Sequence, residues 1–164
     1  MKRNLFLLPL LILLVACAAR SSIHPSPSLR LYFASALDHG PALDWEPYSK
    51  SDPSAEELIL ALLEGPSSDN LSSPFPVGLS LRSCRLEDGL LTIDFSEQYG
   101  GLSAVDLTLA DYTLVLTLCQ LENVDALSIT VSGRQLPYRS HHILSHEEAL
   151  LALEESVLPL TNPT

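Results

Sequence analysis

Between Arg82 and Leu121 the chain passes from one periodicity to another. RSCRLEDGLLTIDFS alternates apolar with polar, and the stretch after Gly100-Gly101 repeats its leucines at helical spacing. The alternation predicts a β-hairpin. Asp88-Gly89 supplies its turn, because a type I′ turn needs positive φ at both central residues and Asp-Gly tolerates that. Such a turn sets Glu87 opposite Leu90, Leu86 opposite Leu91, Cys84 opposite Ile93 and Arg82 opposite Phe95. One face of the ribbon then carries Cys84, Leu86, Leu91, Ile93 and Phe95. The other carries Ser83, Arg85, Glu87, Thr92 and Asp94, with Leu90 the exception. A sheet covered on one side and wet on the other is patterned this way.

After the hairpin, Ser103 and Asp106 resemble a capping box, and Leu107, Ala110, Leu114, Leu118 and Leu121 recur on one side of a helix, opposite Asp106, Thr113, Thr117 and Gln120. Tyr112 to Leu118 is rich enough in Thr and Val to form a strand; length and the cap favour the helix. Upstream, Leu29, Leu31 and Phe33 alternate with Arg30, Tyr32 and Ala34, which predicts a first strand. Asp38-His39-Gly40-Pro41 breaks it, and Ala42 to Trp45 could return alongside as a short edge strand. Ser51-Asp52-Pro53 opens a helix with Asp52 as its cap and Glu56 and Glu57 at the positive end of the dipole. Its apolar stripe is Leu58, Ile59, Leu62 and Leu63, and Gly65-Pro66 stops it. Pro66 to Gly78 reads as a long loop. Leu127, Ile129 and Val131 form a last strand ended by Ser132-Gly133. Ser145 with Glu148 is a capping box for a further helix over about 146–157, ended by Pro159. The class is therefore α+β, in the order β-α-β-β-α-β, with a C-terminal helix.

The first residues follow a different pattern. Lys2 and Arg3 precede an almost wholly apolar run from Leu5 to Val15, then Leu14-Val15-Ala16-Cys17. Eleven apolar residues fall short of the roughly 30 Å of a bilayer core, so the run reads as a signal h-region and not a permanent span. LVAC resembles the lipobox of bacterial lipoproteins, in which the Cys sulfur receives a diacylglyceryl group and cleavage falls just before it. That assigns residues 1–16 to a signal peptide cut between Ala16 and Cys17, and residues 17–28 to a lipidated Cys17 with a flexible tether. A folded domain over 29–137 and a C-terminal extension over 138–164 follow. Each acyl methylene buried in the membrane contributes about 0.8 kcal/mol, and two or more palmitate-like chains hold where one would be marginal. The expected location is extracytoplasmic, at the cell membrane.

Charge sharpens this picture. Loss of Lys2 and Arg3 lowers the basic residues from 9 to 7 against 20 acidic ones, taking the net charge from −11 to −13. Such a surface argues against nucleic acid and against electrostatic attraction to anionic headgroups. Membrane attachment then depends on the lipid of Cys17. Cys84 and Cys119 are left, and an exported chain could join them in a disulfide; two buried free thiols are the alternative.

LRLYF on the first strand, LEGP after the first helix, LEDGLLTIDFS on the hairpin and LTLCQLENVDALSITVSG beyond it resemble, in that order, a GerMN domain. The resemblance runs from Leu29 to about Gly133. It implies a small α+β domain with two helices packed on one face of a mixed sheet, similar to ring-building modules of secretion and sporulation complexes. It also implies a role in sporulation, spore germination or envelope assembly through protein contacts, oligomers included, and not through catalysis.

Chemistry finds little purchase elsewhere. His142 and His146 are four apart, but Ser145 starts the helix between them, so His141, His142, His146 and Glu147 do not converge on a metal. Asp38, Asp44, Glu46 and Asp52 lack the spacing and central Gly of a calcium loop. No Ser stands in G-x-S-x-G, and Lys50 is the lone lysine after the signal segment, so a Ser–Lys hydrolase would depend on it. No cofactor motif is present. Arg30, Tyr32, Arg85 and Asp94 fall on the predicted open sheet side and make a candidate partner face, since Tyr and Arg are enriched in hot spots. The alternative is a lipoprotein binding cell wall or a small ligand, with Pro66 to Gly78 as a lid.

Overall fold

A computed structural model describes residues 28–36, 42–137 and 141–150. Strand β1 (Arg30–Ser35) buries Leu31 and Phe33 and pairs antiparallel with β2 (Leu43–Pro47). The helix that follows, α1 (Ala55–Glu64), starts two residues later than the Asp-Pro pair suggests. Its cap is Ser54, not Asp52. Ser54 Oγ accepts from the Glu57 N–H, while the Glu57 carboxylate accepts from the Ser54 N–H. This reciprocal box satisfies two orphan donors where Asp52 could satisfy one. Asp52 instead takes a left-handed φ of 56° ahead of Pro53. Leu58, Ile59 and Leu62 are buried, and Gly65, at φ 93°, ends the helix by donating to Leu62 O.

Within the loop expected over Pro66 to Gly78, Leu71 and Ser72 form a short strand, β3 (Leu71–Ser72), on the other edge of β1. Strands β4 (Leu81–Glu87) and β5 (Leu90–Phe95) make the predicted hairpin, with Asp88 at φ 48° and Gly89 at φ 82°. The pairing is as read from Glu87–Leu90 to Cys84–Ile93. Beyond Ser83–Asp94 a β-bulge shifts it, so Leu81 and not Arg82 stands opposite Phe95. The extra residue spares Arg82 a place on the apolar side.

A 3₁₀ turn, Glu97–Gly101, places Tyr99 in the core, stacked on Phe95 with ring centroids 5.0 Å apart. Helix α2 (Ala104–Leu118) begins at Ser103, whose hydroxyl accepts from the Asp106 N–H. Tyr112 to Leu118 is helical throughout. The helix returns the chain to β6 (Ala126–Val131), parallel to β5, as a crossover must for parallel neighbours. Strand β7 (Ile143–Ser145) then adds antiparallel to β6. Ser145 and Glu148 form the predicted capping box, and residues 146–150 are helical with Ala149 buried. The rest of that helix, to about 157, lies outside the described residues.

The fold is α+β, as read. Its strands, however, divide between two sheets where one was expected: β2-β1-β3, all antiparallel, and the mixed β4-β5-β6-β7. One hydrophobic core joins them, drawing on β1, both helices and the inner sides of β5 and β6. From Ala110 onward helix α2 is buried on nearly every side, Thr113 and Thr117 included. On the polar side read from the sequence, Asp106 is exposed, but Thr117 and Gln120 face the edge of β1. Thr117 Oγ1 accepts from the Tyr32 N–H at 3.1 Å. Gln120 completes the pairing as a strand would: its Oε1 accepts from the Arg30 N–H at 2.9 Å, and its Nε2 donates to Arg30 O at 2.8 Å.

Candidate functional site

The four-stranded sheet has one apolar side and one bare side. Leu91, Ile93, Phe95, Leu127, Ile129 and Val131 point into the core. Register then carries their neighbours across the outer side in rows. Arg85, Thr92, Ser128 and Ile143 form one, and Ser83, Asp94 and Thr130 another. Ser83 and Arg85 are exposed, Thr92, Ser128 and Thr130 half-buried, and Ile143 is 55% exposed. Among the described residues no helix lies over this side.

Asp94 is the most constrained group on it. Oδ1 accepts from the Gly133 N–H at 2.7 Å and from the Thr130 hydroxyl at 2.8 Å, and Oδ2 accepts from Arg82 Nε at 3.0 Å. Burial alone would raise its pKa; the Gly133, Thr130 and Arg82 donors together outweigh that and hold it below the usual carboxylate value. The bulge is what brings Arg82 into reach. Without it, strict alternation sends that side chain to the core side.

The four predicted contact residues do not share one surface. Arg85 and Asp94 lie on the bare side of the four-stranded sheet. Arg30 and Tyr32 belong to the three-stranded sheet, where Tyr32 pairs with Trp45 and the Arg30 guanidinium stacks 4.2 Å over the Trp45 ring. Trp45, 42% exposed, was visible as the lone tryptophan, but only the pairing of β1 with β2 reveals its partner. Alternation already sets Ser128 and Thr130 on the polar side of the last strand. Their place beside Thr92 and Asp94, and that of Ile143, escapes sequence reading because β6 and β7 join the hairpin from far along the chain.

Cys84 and Cys119 are free thiols, each half-buried. Burial, then the charge of Glu56, raises the pKa of Cys84; burial, then Asp125, pushes Cys119 up to about 11. Thiols so shifted are poor nucleophiles. Ala16 and Cys17 lie outside the described residues. Among the described residues no His, Cys, Asp or Glu group could hold a metal ion, and no helix is long and apolar enough to cross a membrane. Glu46 accepts instead from the N–H groups of Ser67 and Ser68, pinning the loop after α1 to β2. A cleft of about 1070 Å³ does exist, between the β2–α1 linker, the hairpin and the turn after α2. Lys50 and Cys84 line it, but nothing from Pro66 to Gly78 does, so that loop is no lid to it.

A family model described as Germane, "Sporulation and spore germination", matches residues 30–137. The fold is similar to the first GerMN domain of the sporulation protein GerM from Bacillus subtilis, with 18% identity over 74% of this chain and 99% of that one, at a TM-score of 0.58. The tandem GerMN domains of the same protein match at 23% identity and a TM-score of 0.55, over 72% of this chain. The chain covers only 44% of that tandem structure. A Clostridium perfringens protein described as a candidate lipoprotein matches at 22% identity, over 74% of this chain and 88% of its own length, with a TM-score of 0.51. No curated protein matches significantly.

Proposed function

Because the chain belongs to the Germane family of sporulation and spore germination domains, we propose that it is a lipid-anchored, non-catalytic interaction module of the bacterial cell envelope. Anchored through Cys17 to the outer side of the cytoplasmic membrane, it recruits a protein of the sporulation, germination or envelope-assembly machinery. The observation that carries this reading is the bare side of the four-stranded sheet. Folding spends every helix of the described chain on the other side. A flat surface of short side chains around Thr92 and Ser128 is left, with Arg85 and Ile143 at its ends. Arg is a frequent contact anchor, and an exposed Ile can fill a partner's pocket.

The lipid supplies concentration: confinement to a surface raises the encounter rate with a neighbour on that surface without any new contact. Two variants test the reading. Cys17→Ser should leave the chain unprocessed or release it from membranes, and a cleaved form retained on membranes would contradict anchoring. Ser128→Arg, on the bare side, should abolish partner co-purification while leaving the unfolding midpoint unchanged. Undiminished co-purification would move the contact elsewhere.

A further inference from the structure

The cleft has a feature that the bare sheet side lacks: a strand edge unpaired among the described residues runs along it. β4 is the outer strand of its sheet. A two-residue hairpin closes on a hydrogen-bonded pair, here Glu87–Leu90, so Arg85 and Ser83 also bond inward to β5. Cys84 and Leu86 then turn their N–H and C=O groups outward. The side chains of these same two residues line the cleft. Its floor continues with Leu29, Leu91, Leu121 and Val124, while its rim carries Asp52, Glu56 and Glu122 against the single Lys50.

We propose that β4 and this cleft form a second binding site, which takes up an extended partner polypeptide whose apolar residues alternate with Lys or Arg. The segment adds as a further strand beside β4. Its backbone meets the outward groups of Cys84 and Leu86, alternate apolar side chains drop onto the leucine floor, and the basic ones meet the acidic rim. An outward row of backbone donors and acceptors is a template for another backbone, not for a compact small molecule. The acidic rim and a chain of net charge −11 repel an acidic segment and draw in a basic one. This site is separate from the bare sheet side, and each can fail without the other.

The test uses the full lipidated chain in detergent and a fluorescein-labelled peptide of alternating Val and Lys. Saturable binding that weakens with salt is expected. N-methylation of one alternate set of peptide residues should abolish it and of the other set should spare it. Bound peptide should slow alkylation of Cys84, read by peptide mapping. Charge reversal at two exposed positions, Glu56→Lys with Glu122→Lys, should weaken binding at least about tenfold. The proposal is overturned by absence of binding, by equal binding of a Val–Glu peptide, or by equal tolerance of both methylated series. It is overturned too if Cys84 is already shielded in the full chain and deletion of residues 20–27 exposes it. The cleft would then hold the chain's own segment.

Discussion

The three-stranded and four-stranded sheets share a core but finish their margins in opposite ways. In the first, the edges are largely closed among the described residues. Strand β2 turns Leu43, Trp45 and Pro47 outward, since Ala42 and Tyr48 bond inward to β1. The Trp45 N–H is taken by Asp44 Oδ1 at 2.8 Å, and Pro47 has no N–H to offer. On the other edge of β1, the side chains of Thr117 and Gln120 stand in for a strand. Among the described residues the second sheet keeps the outer edge of β4 unpaired and its outer side bare. Proteins ordinarily blunt such surfaces against aggregation. That one sheet is blunted and its neighbour is left open is the contrast on which the proposed contact surface rests.

Substitutions on the two sheets and in the core between them test this contrast. Leu114→Ala, in the fully buried centre of α2, should cost about 2–5 kcal/mol in denaturant unfolding. Ile143→Ala on the bare side should stay within about 0.5 kcal/mol in the same assay. Gln120→Ala with Thr117→Val should cost about 1–3 kcal/mol, chiefly through the part-buried Tyr32 N–H, because water can replace Gln120 on the exposed Arg30 groups. It should also speed hydrogen exchange at the Tyr32 amide.

Asp94→Ala should cost about 1.5–3 kcal/mol at neutral pH, mostly through the Gly133 N–H, because the half-exposed Arg82 partner contributes little. The folded pKa of Asp94 is depressed. Its carboxylate therefore stabilises the fold above the unfolded-state value, and that contribution is lost as pH falls through the folded value. Asp94→Asn should flatten the acid limb of stability measured against pH. Ser103→Ala, removing the α2 cap, should cost about 0.5–2 kcal/mol by the same unfolding measurement.

Sequence reading succeeded where one short stretch carries the whole cause. The turn at Asp88-Gly89 dictates the hairpin register, and the Ser103 cap with fifteen helical residues outweighs the strand-like YTLVLTL. It failed where the cause is shared between distant segments. Asp52 and Ser54 are both competent caps, and the answer turns on Glu57. Strands β3 and β7 have two and three residues, too few to show a period, and exist because β1 and β6 offer them an edge. Two sheets cannot be told from one by counting strands. The polar side predicted along α2 was read from its polar residues, yet the buried Thr117 and the half-buried Gln120 just past the helix are partners of a strand some ninety positions away. The bulge at Arg82 leaves no mark in the alternation before it, and the cleft is assembled from segments near residues 29, 50, 86 and 121.

The central claim is that the bare side of the four-stranded sheet is the contact surface. Photo-crosslinking residues placed at Thr92 and Ser128 on that side, and at Trp45 on the closed sheet, test it most directly in cells making the full-length chain. The account predicts a discrete crosslinked partner from Thr92 and Ser128 and none from Trp45. The same partner captured from Trp45 and absent from Thr92 and Ser128 would contradict it.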